Sequence, residues 1–209
     1  MHLEFLVEEA SLAVTLEYIL PKILANFITF KIHDFRGKQE LLRKLPDRLR
    51  GYKPWLPNDW KIVVLIDEDR QDCKILKQQL EDIAMEAGFF TKTNRKIDQD
   101  FQVLNRIVIE ELESWFFGDI NAICQAYPKI SRYLNQKKSF REPDKMEGGT
   151  WEALERVLKQ AGYHQGGLEK FKAAKAISPY LNPLVNKSNS FQVFYLSLLE
   201  MTKVSSNLG

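Results

Sequence analysis

The stretch Lys61-Ile62-Val63-Val64-Leu65-Ile66-Asp67-Glu68-Asp69 decides the fold. An apolar run of strand length that breaks off in acids is the pattern of a strand buried on both faces. Along an extended chain residues i and i+2 lie on the same side, so Asp67 and Asp69 are expected to leave the strand end together. Two carboxylates so close repel unless a cation or a proton sits between them. A hard divalent ion such as Mg²⁺ needs an oxygen-rich, partly open site of this kind. The stretch points to metal-dependent chemistry on phosphates.

Upstream, residues 2–7 (His-Leu-Glu-Phe-Leu-Val) read as a first strand with Glu8 and Glu9 at its exit. Apolar residues at helical spacing predict a helix over 10–27, which Pro21 kinks or restarts. A second strand is predicted over 27–33, then an amphipathic helix after Gly37 through Leu41, Leu45 and Leu49, then a proline-containing loop over 51–59. Downstream, a helix over 73–87 closes at Gly88, with Asp69 or Asp72 available to cap it. A fourth strand is predicted over 101–109 and a helix from near Glu110. Strand and helix alternating in this way predict an α/β fold with a mainly parallel four-stranded sheet flanked by helices. Ligands of such sheets gather at the carboxyl ends of the strands, where Glu8, Asp67 and Glu110 all fall. Residues 1–120 read as this core and 121–209 as a C-terminal helical extension packed on it. Within the extension Thr150 is placed to cap one helix, another begins near Ser190, and Val204 to Gly209 read as a frayed end.

The 209 residues can bury one good-sized core. At 44% hydrophobic and 28% charged the composition is that of a globular protein. Thirty basic against 28 acidic residues leave a net charge of +2, so any nucleic acid must be held by a local patch. Cys73 and Cys124 make no disulfide framework and read as free thiols. No membrane segment is evident, and the acidic Met1-His2-Leu3-Glu4 start is unlike a signal peptide. A cytoplasmic protein is the expectation. His2, His33 and His164 show no ligand spacing, which argues against zinc.

A second acidic set, Glu110, Glu111 and Glu113, opens the helix after the fourth strand. On a helix Glu110 and Glu113 would share a face while Leu112 and Phe116 turn to the core. Acids in a first turn also oppose the helix dipole, and that structural role stays open beside a ligand role. For Asp67 and Asp69 the alternative is a solvated turn with a helix cap. Glu8 at the end of the first strand favours the metal reading.

These residues resemble the toprim fold, the metal-binding domain shared by topoisomerases, primases and the overcoming-lysogenization-defect nucleases. Its pattern is a glutamate after the first strand and Asp-x-Asp after the third, matched by Leu6-Val7-Glu8 and Leu65-Ile66-Asp67-Glu68-Asp69. The chain looks more specifically like a stand-alone toprim-like bacterial family catalogued as a domain of unknown function. The segments carrying that likeness are Arg36-Gly37-Lys38-Gln39, Glu111 to Trp115 with Asp119, Gly148 to Glu152, and Asn186 to Phe191. Glu9 stands where such nucleases often carry glycine. The resemblance implies a nuclease, a phosphodiester hydrolase using one or two Mg²⁺ or Mn²⁺ ions. Glu8, Asp67 and Asp69 would be the catalytic ligands, with Glu113 or Glu110 completing the shell and Glu8 as general base. It further implies DNA or RNA as substrate and an ATPase partner in antiviral defence.

Basic runs at 36–50, 92–96 and 137–141 can contact phosphates or simply solvate the surface. Lys38 and Lys187 are the chosen substrate-binding candidates. Trp55, Trp60, Trp115 and Trp151 read as core or interface anchors. Two other functions compete: a non-catalytic toprim-like partner subunit of an ATPase, and an aspartyl-phosphate enzyme. The latter is disfavoured because its Asp-x-Asp belongs on a first strand. Substrate, metal number and oligomeric state, including a homo-oligomer, are open.

Overall fold

The apolar runs become four parallel strands, β1 (His2–Val7), β2 (Thr29–Asp34), β3 (Trp60–Asp67) and β4 (Val103–Val108), hydrogen-bonded in the order β2-β1-β3-β4. The computed structural model describes residues 1–69, 71–97 and 99–203, with the backbone alone of Asn135, so the end expected to fray over 204–209 lies outside the described residues. Helices α1 (Ala10–Ile23), α2 (Lys38–Tyr52) and α3 (Cys73–Glu86) make the crossovers. After β4 the chain is helical: α4 (Glu113–Gly118), α5 (Ile120–Ala126), α6 (Thr150–Gln160), α7 (Lys170–Ile177) and α8 (Asn189–Thr202), with short 3-10 turns between.

Strand alternation sorts the side chains into two apolar clusters. Leu6, Ile62, Val64 and Ile66 pack beneath α2 and α3 with Leu41, Leu45 and Leu80. Leu3, Phe5, Val7, Val63 and Leu65 face the other way, onto α1 and the helices that follow β4. That second cluster runs unbroken from Leu3 to Met201 and contains the fully buried Trp115, Phe191 and Phe194. The helical extension and the sheet therefore share one core on this face. β2 lies to one side of β1 and β3 to the other, so the order of strands reverses between β1 and β3. The carboxyl ends of two such strands leave a crevice between their diverging connections.

Several boundaries differ from the sequence reading. The first helix runs through Pro21 but ends at Ile23, because Leu24 turns extended. Asp72, not Asp69, caps α3, its carboxylate accepting from Lys74 N and Ile75 N. Thr150 is the first residue of α6 and Gly149, at φ +83°, is its cap. The helix expected from Glu110 starts at Glu113, since Glu110 takes a left-handed φ of 60°. Glu110 and Glu113 thus do not lie on one helix face.

The Asn186 to Ser190 segment is a structural clamp. Ser188 and Ser190 hydroxyls both donate to Asp144, each at 2.8 Å, and Ser188 caps α8 at Phe191 N. Asn186 donates to Trp115 O at 2.8 Å and accepts from Ser188 N at 3.0 Å. A Cβ on Gly118 would come 2.0 Å from Asn186 Oδ1, a group held on both sides and unable to give way. Gly118→Ala is expected to cost about 1–3 kcal/mol through this overlap. Urea unfolding followed by circular dichroism should show a lower midpoint with an unchanged slope. An unaltered midpoint would mean that the clamp yields freely.

Candidate functional site

Asp67 is the last residue of β3 and alternates onto the Val63 and Leu65 face, the one covered by α1 and the helical extension. It is 3% exposed, and its Oδ1 has no hydrogen-bond partner. Glu8, just past β1, reaches across the crevice: its Oε2 accepts from Asp67 N at 3.1 Å. The backbone of Glu8 is fixed in turn, because its carbonyl accepts from Gly37 N at 2.8 Å. Gly37 can do this at φ +122°, a conformation that side chains disfavour. Two acids 59 residues apart in sequence are therefore neighbours.

Glu113, in the first turn of α4, is the third member. It is 1% exposed, its Oε2 is also unpartnered, and it lies near enough to Asp67 to disfavour that group's charge. Glu9, the N-cap residue of α1, adds a fourth carboxylate that acts on Asp67, Glu8 and Glu113 alike. It accepts a hydrogen bond from the Ser11 hydroxyl.

Asp69 and Glu110 form an outer rim. β3 ends at Asp67, and Asp69 sits at a left-handed φ of 53°, so the expected i, i+2 alternation of the aspartates is not kept. The physical reason is a two-way lock: Asp69 N donates to Glu110 O at 3.0 Å, and Glu110 N donates to Glu68 Oε2 at 3.0 Å. Both left-handed residues belong to this lock, and such backbone strain persists only where surrounding structure enforces it. Asp69 is 47% exposed and pairs with Lys38 Nζ at 2.6 Å. Lys38 Nζ also donates to Glu68 O at 3.0 Å. A cleft of about 750 Å³ opens here, lined by Lys38, Asp69, Glu110, Glu111, Trp151 and Glu152.

Glu111 links this rim to the buried acids. One oxygen accepts from Thr150 Oγ1 at 3.3 Å and Trp151 N at 3.1 Å, tying down the start of α6. The other accepts from Lys170 Nζ at 3.3 Å. Sequence reasoning placed Glu111 toward Trp115 and passed over Lys170 altogether, since nothing local in Glu169-Lys170-Phe171-Lys172 marks it. Lys187 has a different neighbourhood: it lines a separate cavity of about 370 Å³ with Asp119, Phe140 and Arg141. The structure does not bring Lys187 to the acids, because its backbone N–H is bound to Gly118 O in the clamp described above. Trp115 is core, as read, whereas Trp55 is 56% exposed and Trp151 is half-buried at the cleft. His2 and His33, apart in sequence, both meet the buried Glu4.

The electrostatics follow from desolvated like charges. Burial, assisted by Asp69 and Glu9, raises the Glu8 carboxyl from 4.5 to about 7 against the opposing hydrogen bond from Asp67 N. Burial likewise raises Glu113 to about 7, with Lys170 opposing. Asp67 is pushed well above the usual aspartate value by burial and then by Glu8, Glu9 and Glu113. Burial pulls Lys170 down, but Glu113, Glu111, Glu9 and Asp67 outweigh it and hold the ammonium above the ordinary lysine value. Glu110 is raised more mildly, by burial and by Glu68. Among the described residues no three His, Cys, Asp or Glu side chains already stand as a metal shell. The donor set is nonetheless wholly oxygen, and two of its buried atoms lack any partner, which suits a hard divalent cation.

The family model described as Domain of unknown function (DUF4276) matches residues 7–199. The chain belongs to that family. No curated protein and no solved structure matches it. The DUF4276 span takes in every acid of the cluster together with Lys38 and Lys170, and reaches from the end of β1 into α8. Among the described residues no helix is long and apolar enough to cross a membrane.

Unfolded glutamates release their protons near 4.5, whereas folded Glu8 and Glu113 hold theirs to about 7. Between these values the folded DUF4276 chain binds more protons than the unfolded one, so these groups stabilise at the acid end and that stability is lost as pH rises. Without divalent ions the melting temperature is expected to drop from about pH 5 to about pH 8. Glu113→Gln should flatten the drop. A melting temperature that climbs through this window and is unmoved by the substitution would refute the buried-acid account.

Proposed function

We propose that this protein is a metal-dependent nuclease of toprim type, cleaving nucleic-acid phosphodiester bonds with Mg²⁺ or Mn²⁺. The observation that carries the reading is the meeting of Glu8, Asp67 and Glu113 at the crevice between β1 and β3, with Asp67 Oδ1 and Glu113 Oε2 buried and unpartnered. Evenly solvated capping acids would not be desolvated in this way. Asp67, Glu8 and Glu113 would hold the ion, and Asp69 and Glu110 stand at the rim of the adjoining cleft. A divalent ion there supplies an activated water and neutralises charge on the scissile phosphate.

The chain's own residues complete the chemistry. Glu8, with its carboxyl raised to about 7, is suited to take a proton near neutral pH, and its hydrogen bond to Asp67 N fixes its direction. Lys38 brings positive charge to the mouth of the cleft, where a phosphate would arrive. Action beside an ATPase in bacterial antiviral defence, and a location in the cytoplasm, belong to the same proposal. A non-catalytic partner subunit remains the competing function, and Glu111 favours it to this extent: at least one acid of the cluster is a strut between α6 and α7.

Purified protein is expected to nick or cut DNA or RNA only with Mg²⁺ or Mn²⁺. Asp67→Ala and Glu8→Ala should each reduce the rate by about 10²–10⁴-fold with the circular dichroism spectrum unchanged. Mn²⁺ should also raise the melting temperature of wild type and not of Asp67→Ala. Metal-dependent cleavage surviving in both variants would exclude this site. No cleavage and no metal-dependent melting shift would leave the partner-subunit reading.

A further inference from the structure

We propose that the Lys170 ammonium is a built-in cation of the acidic cluster, taking the place of a second metal ion, so that the site binds one divalent ion and not two. The inference rests on the metal-site reading above and adds to it the number of ions and the residue that sets it.

Lys170 differs from a surface lysine in how it is held. It is the first residue of α7, whose packing against α1 fixes the base of the side chain beside Glu9, the N-cap residue of α1. Its ammonium lies 3.3 Å from Glu111 Oε1 and 6.0 Å from the centre of the Trp151 ring. The side chain is 33% exposed, so the pair is only partly open to solvent. An exposed lysine pair contributes little because two long side chains must be ordered against screening. Here α6, α7 and the Glu111 strut have already ordered them.

The charge arrangement points the same way. Glu9, Asp67, Glu111 and Glu113 all act on Lys170, which makes it the positive centre of the α4 side of the cluster. On the opposite side, Glu8 leans on Asp67 N without a cation of its own among these contacts. Glu111 has both oxygens engaged, one by the α6 N-terminus and one by Lys170, so it is unavailable as a ligand without releasing that lysine. One half of the cluster is thus neutralised by the chain itself, and the other half presents the unpartnered Asp67 Oδ1. An ammonium exchanges no ligands and activates no water. It can neutralise an arriving phosphate oxygen, which is what a second ion would chiefly add.

The test counts bound ions on the full chain, using isothermal titration with Mn²⁺ together with electron paramagnetic resonance of the bound Mn²⁺. Wild type should take one ion, Lys170→Met two, and Lys170→Arg one, because arginine keeps the charge. Thermal melting checks that each variant is folded, and the wild-type count stands even if Lys170→Met is not. Two ions in wild type, or one in folded Lys170→Met, would overturn the role given to Lys170 and leave the metal site standing. No Mn²⁺ bound to wild type would remove the metal site itself, and this inference with it.

Discussion

The desolvation of Asp67 is the constraint around which this molecule is arranged. A carboxylate at the end of a strand ordinarily turns into water. In this protein alternation directs it onto the face where α1 and the helical extension close over the sheet, beside Glu8, Glu9 and Glu113. Like charges taken out of water repel strongly and remain ionised only with compensation. The fold offers three kinds: protons on Glu8, Glu113 and Asp67, the fixed ammonium of Lys170, and a vacant coordination atom on Asp67. Stability and chemistry are therefore in tension at one point, since the charged form that would bind a cation is the form the fold tolerates least.

The helical half belongs in that balance. It supplies Glu113 from α4, the N-terminus of α6 that holds Glu111, and Lys170 from α7. The Asn186 to Ser190 clamp seats α8 against Trp115, two residues from Glu113. Its role is thus indirect, keeping α4 where Glu113 must be. This explains how a segment distinctive in sequence can carry no chemistry of its own.

What the sequence disclosed followed from periodicity and local chemistry. The strands could be read because buried parallel strands are short apolar runs, and Glu8 and Asp67 because each follows such a run. Asp72 as a cap and Gly88 as a stop are local features and were equally visible. Glu110 was misread because helix-like spacing cannot reveal a left-handed residue, whose conformation comes from the exchange with Glu68 and Asp69. Lys170, Glu111 and the departure of Lys187 were hidden for a different reason. Each depends on contacts between elements dozens of residues apart, and no pattern within a helix records which face another helix will meet.

The rim and the floor of the site now take different parts. Asp69 and Lys38 form a pair at the mouth, half open to water, where a salt-dependent contact is easily exchanged for another. Asp67, Glu113 and Lys170 lie deeper, where exchange requires a charge to replace a charge. A ligand bringing negative charge would first compete with Asp69 for Lys38, and only a cation could settle the floor. An acidic cleft would otherwise repel phosphate, so the order of events follows from the arrangement of charges: cation before substrate, with the lysines bridging the two.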